Sequence, residues 1–157
     1  MSQRLNAFQI APEAYKAMLV LQDYVNNSAL EHSLMELVKI RASQINRCAY
    51  CLHMHVLDAR KAGESEARIN LLNAWEESEL YTPRERAALR WTEELTRASE
   101  RSPSDAAYAE LREHFSEKDM VDLTFAIGAI NTWNRINVGF RTRHPADRPR
   151  KTEAAAC

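Results

Sequence analysis

Hydrophobic residues recur along this chain at intervals of three and four, the spacing that places side chains on one face of an α-helix. Residues 30–45 carry the clearest example, a single stripe made of Leu34, Leu37, Val38, Arg41 and Ile45. Residues 12–26 carry a looser version of the same spacing. No segment of useful length alternates polar and apolar positions with the period of two that a half-buried strand requires. The pattern therefore predicts an all-α fold.

Capping residues divide the rest of the chain into further helices. Thr82-Pro83-Arg84-Glu85 joins a capping threonine, a proline at the first helical position and a glutamate that closes the capping box, which predicts a helix running to about Ser99. Asn46 is a candidate N-cap for a helix that ends near Ala62, where Gly63 suits the stop. Further helices are predicted at residues 65–73, from residue 102 and at residues 116–136. We expect about six to seven helices in one domain, residues 1–143, followed by a mobile tail, residues 144–157.

The composition supports this prediction and limits the function. Three glycines and five prolines in 157 residues, with 45% hydrophobic residues, favour helices around one core. A net charge of -1 argues against a nucleic-acid surface, and the basic excess at residues 135–151 is explained by a mobile tail. No apolar run approaches the roughly 20 residues that span a bilayer, so we expect no membrane segment. We expect a cytoplasmic protein, whose close thiols are mostly reduced.

The candidate chemistry lies in the helix that follows Asn46. Two of the three cysteines, Cys48 and Cys51, are three residues apart, and His55 follows four residues later. These spacings place all three side chains in one column on a helix, which makes a candidate redox site. With Asn46 as the cap, Cys48 falls in the first turn, where the helix dipole stabilises its thiolate. Cys51 gains less from the dipole but has the imidazole one turn away.

Glu36 is a further candidate because the two helices that meet near residue 46 should form an antiparallel hairpin. Glu36 lies as far before that turn as His55 lies after it, so the carboxylate and the imidazole should be level. A carboxylate in this position orients a base and raises its basicity. By helical angle, however, Glu36 lies opposite the apolar stripe, and this angle predicts a solvent-facing side chain.

Three other interpretations of the cysteine pair remain open from the residues alone. Two buried thiols on an apolar helix face are inert packing groups. A zinc site would use Cys48, Cys51 and His55 with Glu36 or His53, although structural zinc sites usually join two separate ligand pairs. A thioredoxin-type site needs a βαβ setting, which the pattern does not predict. His53 projects away from the column and is interpreted as a surface or packing histidine.

The segment as a whole resembles a known family. Glu36, eleven intervening residues, then Cys48-Ala49-Tyr50-Cys51 and His55 closely resemble the core of the alkylhydroperoxidase D-like branch of the carboxymuconolactone decarboxylase superfamily, with the strongest match at residues 36–63. The resemblance implies an all-α fold, often assembled into trimers or hexamers, and a thiol peroxidase that uses no metal or flavin cofactor. It implies that Cys51 becomes the sulfenic acid and that Cys48 donates a proton and then forms the disulfide.

The same resemblance implies that Glu36 and His55 form a proton relay, so it contradicts the solvent-facing prediction for Glu36. This chain departs from the family pattern at one position, where Tyr50 replaces a further histidine of the best-studied members. We therefore expect an enzyme that reduces a hydroperoxide at the expense of an unidentified thiol or protein reductant. The alternatives are a dithiol–disulfide relay acting on a protein partner and a redox sensor without efficient peroxidase activity. A decarboxylase is disfavoured because that branch does not depend on the dithiol signature.

Two expectations about oxidation and assembly follow. Oxidation should join Cys48 to Cys51 and leave Cys157 free, because only the first two share a helix face. The last predicted helix carries apolar residues on more than one side, namely Leu123, Phe125, Ile127, Ile130 and Trp133. A monomer of this size has difficulty burying all of them, so we expect a homo-oligomer.

Overall fold

The computed structural model describes residues 2–147, and every regular element in that range is a helix. The α-helices of this range are α1 (Ala7–Ile10), α2 (Pro12–Asn26), α3 (His32–Ile45), α4 (Ala49–Lys61), α5 (Glu66–Leu71), α6 (Pro83–Thr96), α7 (Asp105–His114) and α8 (Glu117–Phe140). Two short 3-10 helices span Leu72–Glu77 and Pro145–Asp147. The predicted all-α fold is confirmed.

Helix ends follow the capping chemistry of the sequence in most places. Thr82 and Glu85 form the predicted capping box of α6, with the Thr82 side chain accepting from the Glu85 amide and the Glu85 carboxylate accepting from the Thr82 amide. The Ser104 and Ser116 side chains cap α7 and α8 by accepting from the Ala107 and Asp119 amides. α8 runs beyond its predicted end because nothing stops it before Arg141, whose left-handed conformation (φ 54°) ends the helix.

α3 is the central helix of the fold. It packs against α4, α6 and α8, so that ten consecutive residues, Leu34 to Ser43, are buried. One apolar cluster joins α3 to α2, α6, α7 and α8 and includes Val38, Leu111 and Leu123. A second joins α3 to α4, α5 and α6 and includes Leu37 and Leu89. Because neighbours cover this part of α3 on every side, the polar residues between Leu34 and Ser43 are buried along with the apolar ones.

Two further observations concern the predicted ends of the domain and the membrane. Residues 148–157, which hold most of the predicted tail and Cys157, lie outside the described residues, so the tail beginning at residue 144 stays a prediction. Within residues 2–147, none of the helices combines the length and the apolar character needed to cross a bilayer.

Candidate active site

The site begins at the tight turn between α3 and α4. Asn46 ends α3 and Arg47 adopts a left-handed conformation (φ 54°), which turns the chain back on itself within two residues. Cys48, in an extended conformation, is the N-cap of α4, and its sulfur accepts a hydrogen bond from the Cys51 amide at 3.4 Å. The prediction of Asn46 as N-cap is therefore wrong. The helix starts two residues later because the turn itself consumes Asn46 and Arg47.

Cys48 and Cys51 are both buried, each 1% exposed, and both are free thiols. A hydrogen bond from the Cys51 thiol lowers the pKa of Cys48 to about 7, against the opposing effect of burial. The same hydrogen bond, together with burial and the neighbouring negative charge, raises the pKa of Cys51 well above its usual range. Cys48 is therefore the more acidic thiol of the pair and ionises before Cys51 does. The dipole argument from the sequence reached the same order of acidity.

Glu36 and His55 meet across the α3–α4 hairpin. The Glu36 Oε2 atom lies 2.9 Å from the His55 Nδ1 atom, and the two side chains are 4% and 10% exposed. The expected level register is confirmed, and the solvent-facing prediction for Glu36 is wrong. The helical angle gave the wrong prediction because it assumes that only one face of the helix is buried, whereas this part of α3 is covered on all sides.

Glu36 is also bound by a buried lysine. The Lys39 Nζ atom donates to Glu36 Oε1 at 2.9 Å, and the exposed His32 places its Nε2 atom 3.8 Å from the same oxygen. Burial alone would raise the pKa of Glu36, but the His55 and Lys39 contacts outweigh it and lower this pKa to about 2. Glu36 is thus ionised at every physiological pH. Because a carboxylate only accepts, it fixes the ring proton of neutral His55 on Nδ1 and leaves Nε2 as the free acceptor.

α8 contributes a row of buried amides that the sequence analysis did not identify. Asn131, Asn134 and Asn137 are spaced by three and share one face of the helix. Asn134 donates to Ser43 at 3.0 Å, and its side chain also stabilises the Cys48 thiolate. Asn137 donates from Nδ2 to the Cys51 sulfur at 3.4 Å. The available signal was three asparagines at helical spacing around the end of the last predicted helix.

A cavity of about 520 Å³ opens onto these groups. Its apolar wall is formed mainly by side chains from α1, α2 and α8, including Phe8, Tyr15, Leu19, Val25 and Trp133. Three of these are aromatic and in contact, with ring centroids 4.6 Å apart for Phe8 and Tyr15 and 5.6 Å for Tyr15 and Trp133. The polar end is formed by Glu36, Lys39, Cys51, His55, Asp58 and Asn137. Cys51 lines this cavity and Cys48 does not, so Cys51 is the one of these two thiols that borders the cavity.

His53 and Tyr50 lie at the edges of this arrangement. His53 is half-buried and stacks loosely on His144, with 5.3 Å between ring centroids, so it points away from the column as predicted. Tyr50 packs partly buried against the cluster that contains both thiols and also lines the cavity. The position of the family's additional histidine is therefore occupied by a phenol that belongs to the cavity wall.

Metal binding is one of the alternatives that the cysteine and histidine spacing left open. Among residues 2–147, one group brings three potential ligand atoms within 4.8 Å of one another, and it consists of Glu36, His55 and Asp58. Neither cysteine belongs to this group, so the zinc set considered from the sequence is not assembled. The Lys39 ammonium on Glu36 is a further obstacle, because it opposes a second cation at the same carboxylate.

Comparison with known proteins gives the class that this fold and site define. The model of the carboxymuconolactone decarboxylase family matches residues 12–94, more than half of the chain. This stretch runs from the start of α2 to near the end of α6 and includes Glu36, both thiols and His55. The chain belongs to the carboxymuconolactone decarboxylase family, and its place is in the alkylhydroperoxidase D-like branch.

Individual relatives agree with this placement. ATU0492 from Agrobacterium tumefaciens, a protein of unknown function proposed to be the antioxidant defence protein AhpD, is 50% identical with a TM-score of 0.89, covering 92% of this chain and 99% of that one. The uncharacterized protein YdfG of Bacillus subtilis is 44% identical over 143 residues, 91% of this chain and 97% of YdfG. A peroxidase-related protein from Silicibacter sp. TM1040 is 26% identical with a TM-score of 0.75, covering 86% of this chain and 72% of that one.

Proposed function

We propose that this protein is a thiol-dependent hydroperoxide reductase in which Cys51 is the attacking residue. One observation carries the proposal: Cys51 lies where a mainly apolar cavity meets the buried Glu36–His55 pair, with Cys48 within hydrogen-bonding contact behind it. The similarity to a proposed AhpD and to a peroxidase-related protein supports the same chemistry.

The reaction balances with these residues and one external reductant. The Cys51 thiolate attacks the terminal oxygen of the hydroperoxide, an S–O bond forms, the O–O bond breaks, and the alkoxide leaves and takes up a proton. Cys48 then attacks the Cys51 sulfenic acid, and the disulfide forms as water is lost. A dithiol reductant reopens the disulfide by exchange. No metal or flavin takes part in these steps.

The order of thiol acidity requires one proton transfer before attack. Cys48 is the thiol that ionises first, whereas Cys51 faces the cavity, so a proton passes from Cys51 to the Cys48 thiolate along the hydrogen bond that joins them. This transfer creates the nucleophile and at the same time makes Cys48 a proton donor. The less acidic thiol is also the better intrinsic nucleophile once it is ionised, which favours Cys51.

Glu36 and His55 act together in the remaining proton transfers. The ionised Glu36 holds His55 through Nδ1, and the ring is then able to exchange a proton at Nε2 on the cavity side. General acid–base catalysis by such a group contributes about 10²–10⁴-fold. Tyr50 does not supply a second imidazole, so the relay of this chain rests on His55.

The cavity favours an organic hydroperoxide over hydrogen peroxide. Its volume of about 520 Å³ is far larger than hydrogen peroxide needs, and its aromatic wall offers apolar contact to an alkyl or aryl group. Burying that group strengthens binding by about 25 cal/mol for each Å² of apolar surface. We place the reaction in the cytoplasm, where reductants return the dithiol to its reduced state.

We also propose that the protein works as a homo-oligomer. Leu123, Ile127 and Ile130 of α8 are buried within the chain, but Val121 and Phe125 on the same helix are each 50% exposed. Tyr108 of α7 is 46% exposed nearby and, with both of them, lines a second surface depression. A second copy would cover this patch, and light scattering at low micromolar concentration should then show at least a dimer.

The decisive experiment follows the thiols during one turnover. Pre-reduced protein mixed with cumene hydroperoxide in stopped flow should lose two thiols per peroxide, at a rate far above that of free cysteine. Cys51→Ser should abolish this consumption. Cys48→Ser should allow one turnover and leave a sulfenic acid at Cys51 that a dimedone probe traps.

Two outcomes would change the assignment. A sulfenic acid trapped at Cys48 in the Cys51→Ser protein, with activity retained, would reverse the roles of the two thiols. A peroxide rate no faster than that of free cysteine, combined with rapid exchange against a protein disulfide, would favour the dithiol–disulfide relay. His53→Ala is the matched control, because this histidine points away from the column and its removal should leave the rate unchanged.

A further inference from the structure

Asn137 differs from the other buried amides of α8 in the use of its two polar atoms. Asn134 uses both, since Nδ2 donates to Ser43 and Oδ1 accepts from Asn46. Asn131 likewise donates to Thr96 and accepts from Asn46. Asn137 donates to the Cys51 sulfur, but its Oδ1 atom is buried with no hydrogen-bond partner.

The position of this unpaired acceptor indicates a ligand. Asn137 is 5% exposed and lines the cavity together with Cys51. Leaving a buried carbonyl without a donor costs about 1–3 kcal/mol, so such atoms in native proteins usually have an explanation. Asn131 and Asn134 show that the same helix face can satisfy amides fully. The unpaired acceptor therefore belongs to a side chain of the cavity wall, and the same side chain contacts Cys51.

We propose that Asn137 positions the hydroperoxide, its Oδ1 atom accepting a hydrogen bond from the terminal O–H while its Nδ2 atom contacts the Cys51 sulfur. Both atoms are bonded to the same carbon, so a terminal oxygen held at Oδ1 lies beside the nucleophile. This arrangement distinguishes the two peroxide oxygens, because only the terminal one carries a proton to donate. The inference rests on the proposed function of Cys51.

The amide exchanges no proton in this step. The Cys51 sulfur forms its bond to the terminal oxygen, the O–O bond breaks, and the alkoxide leaves with the electron pair and is protonated as described above. The proton held at Oδ1 stays on the terminal oxygen throughout. The product is a Cys51 sulfenic acid whose O–H still donates to Asn137. The residue therefore also holds the sulfenic acid until Cys48 reacts.

The test compares two electrophiles at Cys51. Cumene hydroperoxide has an O–H to donate, whereas methyl methanethiosulfonate has no O–H or N–H and reports sulfur nucleophilicity alone. Both rates are measured at Cys51 of the full chain by peptide mass spectrometry, and the ratio of the first to the second is compared between variants. Asn137→Leu removes donor and acceptor, and should lower this ratio about tenfold, the value of one hydrogen bond.

A second variant keeps the test decisive if the leucine protein does not fold. Asn137→Asp retains the acceptor and loses the donor, so the thiosulfonate rate should fall while the ratio stays at or above the wild-type value. Asn131→Leu, which removes an amide outside the cavity, should leave the ratio unchanged. An unchanged ratio in Asn137→Leu, or a tenfold lower ratio in Asn137→Asp, would overturn the inference.

Failure of the proposed function is seen separately. It shows in the wild-type protein before any variant is made, as a cumene hydroperoxide rate no faster than that of free cysteine. A fast wild-type rate with an unchanged ratio in Asn137→Leu would retain the peroxidase and reject only the role of Asn137.

Discussion

Glu36 on α3 and Glu93 on α6 are two largely buried carboxylates that meet different partners. Glu93 accepts from Arg41 at 2.8 Å, from Trp75 at 2.7 Å and from Arg97 at 2.8 Å. Burial raises the pKa of Glu93, but these donors outweigh it, and the net pKa is lowered. The pKa of Glu36 is lowered in the same way, with burial again opposed by hydrogen bonds and positive charge.

The two sites differ in whether the groups that contact the carboxylate can release a proton. Guanidinium and indole groups keep their protons at any physiological pH, so the contacts of Glu93 are permanent and join α6 to α3. Glu36 shares its charge between Lys39 and the imidazole of His55, a ring whose second nitrogen stays free to accept a proton. The same physical rules therefore build a structural ion-pair cluster at Glu93 and, in the proposed mechanism, a site for proton exchange at Glu36.

The largest difference between Glu36 and Glu93 should be the effect of their replacement on the rate of peroxide consumption. Glu36→Gln or His55→Ala should slow peroxide consumption by about 10²–10⁴-fold, because each removes part of one general acid–base unit. The double variant should be little slower than the worse single one, since residues that act as a unit are not additive. Stopped-flow rates per folded molecule measure both effects.

Glu93→Gln is the matched control for these variants. It alters a buried carboxylate of the same kind, yet the rate per folded molecule should stay within about twofold of the wild type, because no proton passes through that site. If well-folded Glu36→Gln protein kept the full rate, Glu36 would have no catalytic role and would be a structural carboxylate like Glu93.

The free energy of unfolding should show the structural role of Glu93. Glu93→Gln leaves the Arg41 and Arg97 guanidinium groups without their carboxylate, and this should lower the free energy of unfolding by roughly 3 kcal/mol. Urea unfolding followed by circular dichroism measures the loss. A change below about 1 kcal/mol, the range of exposed ion pairs, would show that solvent already screens this cluster.

Acid should act on Glu36 within a defined pH window. Its pKa is about 2 in the folded protein against an ordinary value of 4.5, so its contribution is full above pH 4.5 and is lost as the pH falls toward 2. The loss is at most about 3 kcal/mol from this shift. Glu36→Gln should therefore lose less stability than the wild type between pH 5 and pH 2, measured by urea midpoints. Equal losses in both proteins would place the acid sensitivity elsewhere.

Local sequence was sufficient where one turn of the chain decides the structure. The capping box at Thr82 and the level register of Glu36 and His55 both follow from short-range spacing, and both are confirmed. The four-residue α1 was missed because it is too short to show a period, although it brings Phe8 to the cavity wall.

Tertiary context decided the rest. The angle of Glu36 indicated solvent, but packing of α4, α6 and α8 around α3 buried it. Asn137 lies 86 positions from Cys51 along the chain, so no local pattern connects the two. Asn46 looked like a helix cap, yet the hairpin uses it in the turn and its amide bonds to α8. The roles of the site residues in catalysis stay predictions until they are measured.

In the proposed reaction, the sulfur that caps α4 links oxidation of the thiols to the local order of the helix. A thiolate at Cys48 presents negative charge to the positive end of the helix dipole, and it accepts the Cys51 amide proton. A disulfide sulfur carries no charge, so oxidation weakens the cap in the same step that consumes the thiols. The first turn of α4 should then exchange its amide hydrogens faster in the oxidised protein. The hydroperoxide reacts with the reduced protein, whereas the reductant reacts with the oxidised protein, in which the first turn of α4 would be less ordered. This local loosening would give the reductant access to a disulfide that is otherwise buried.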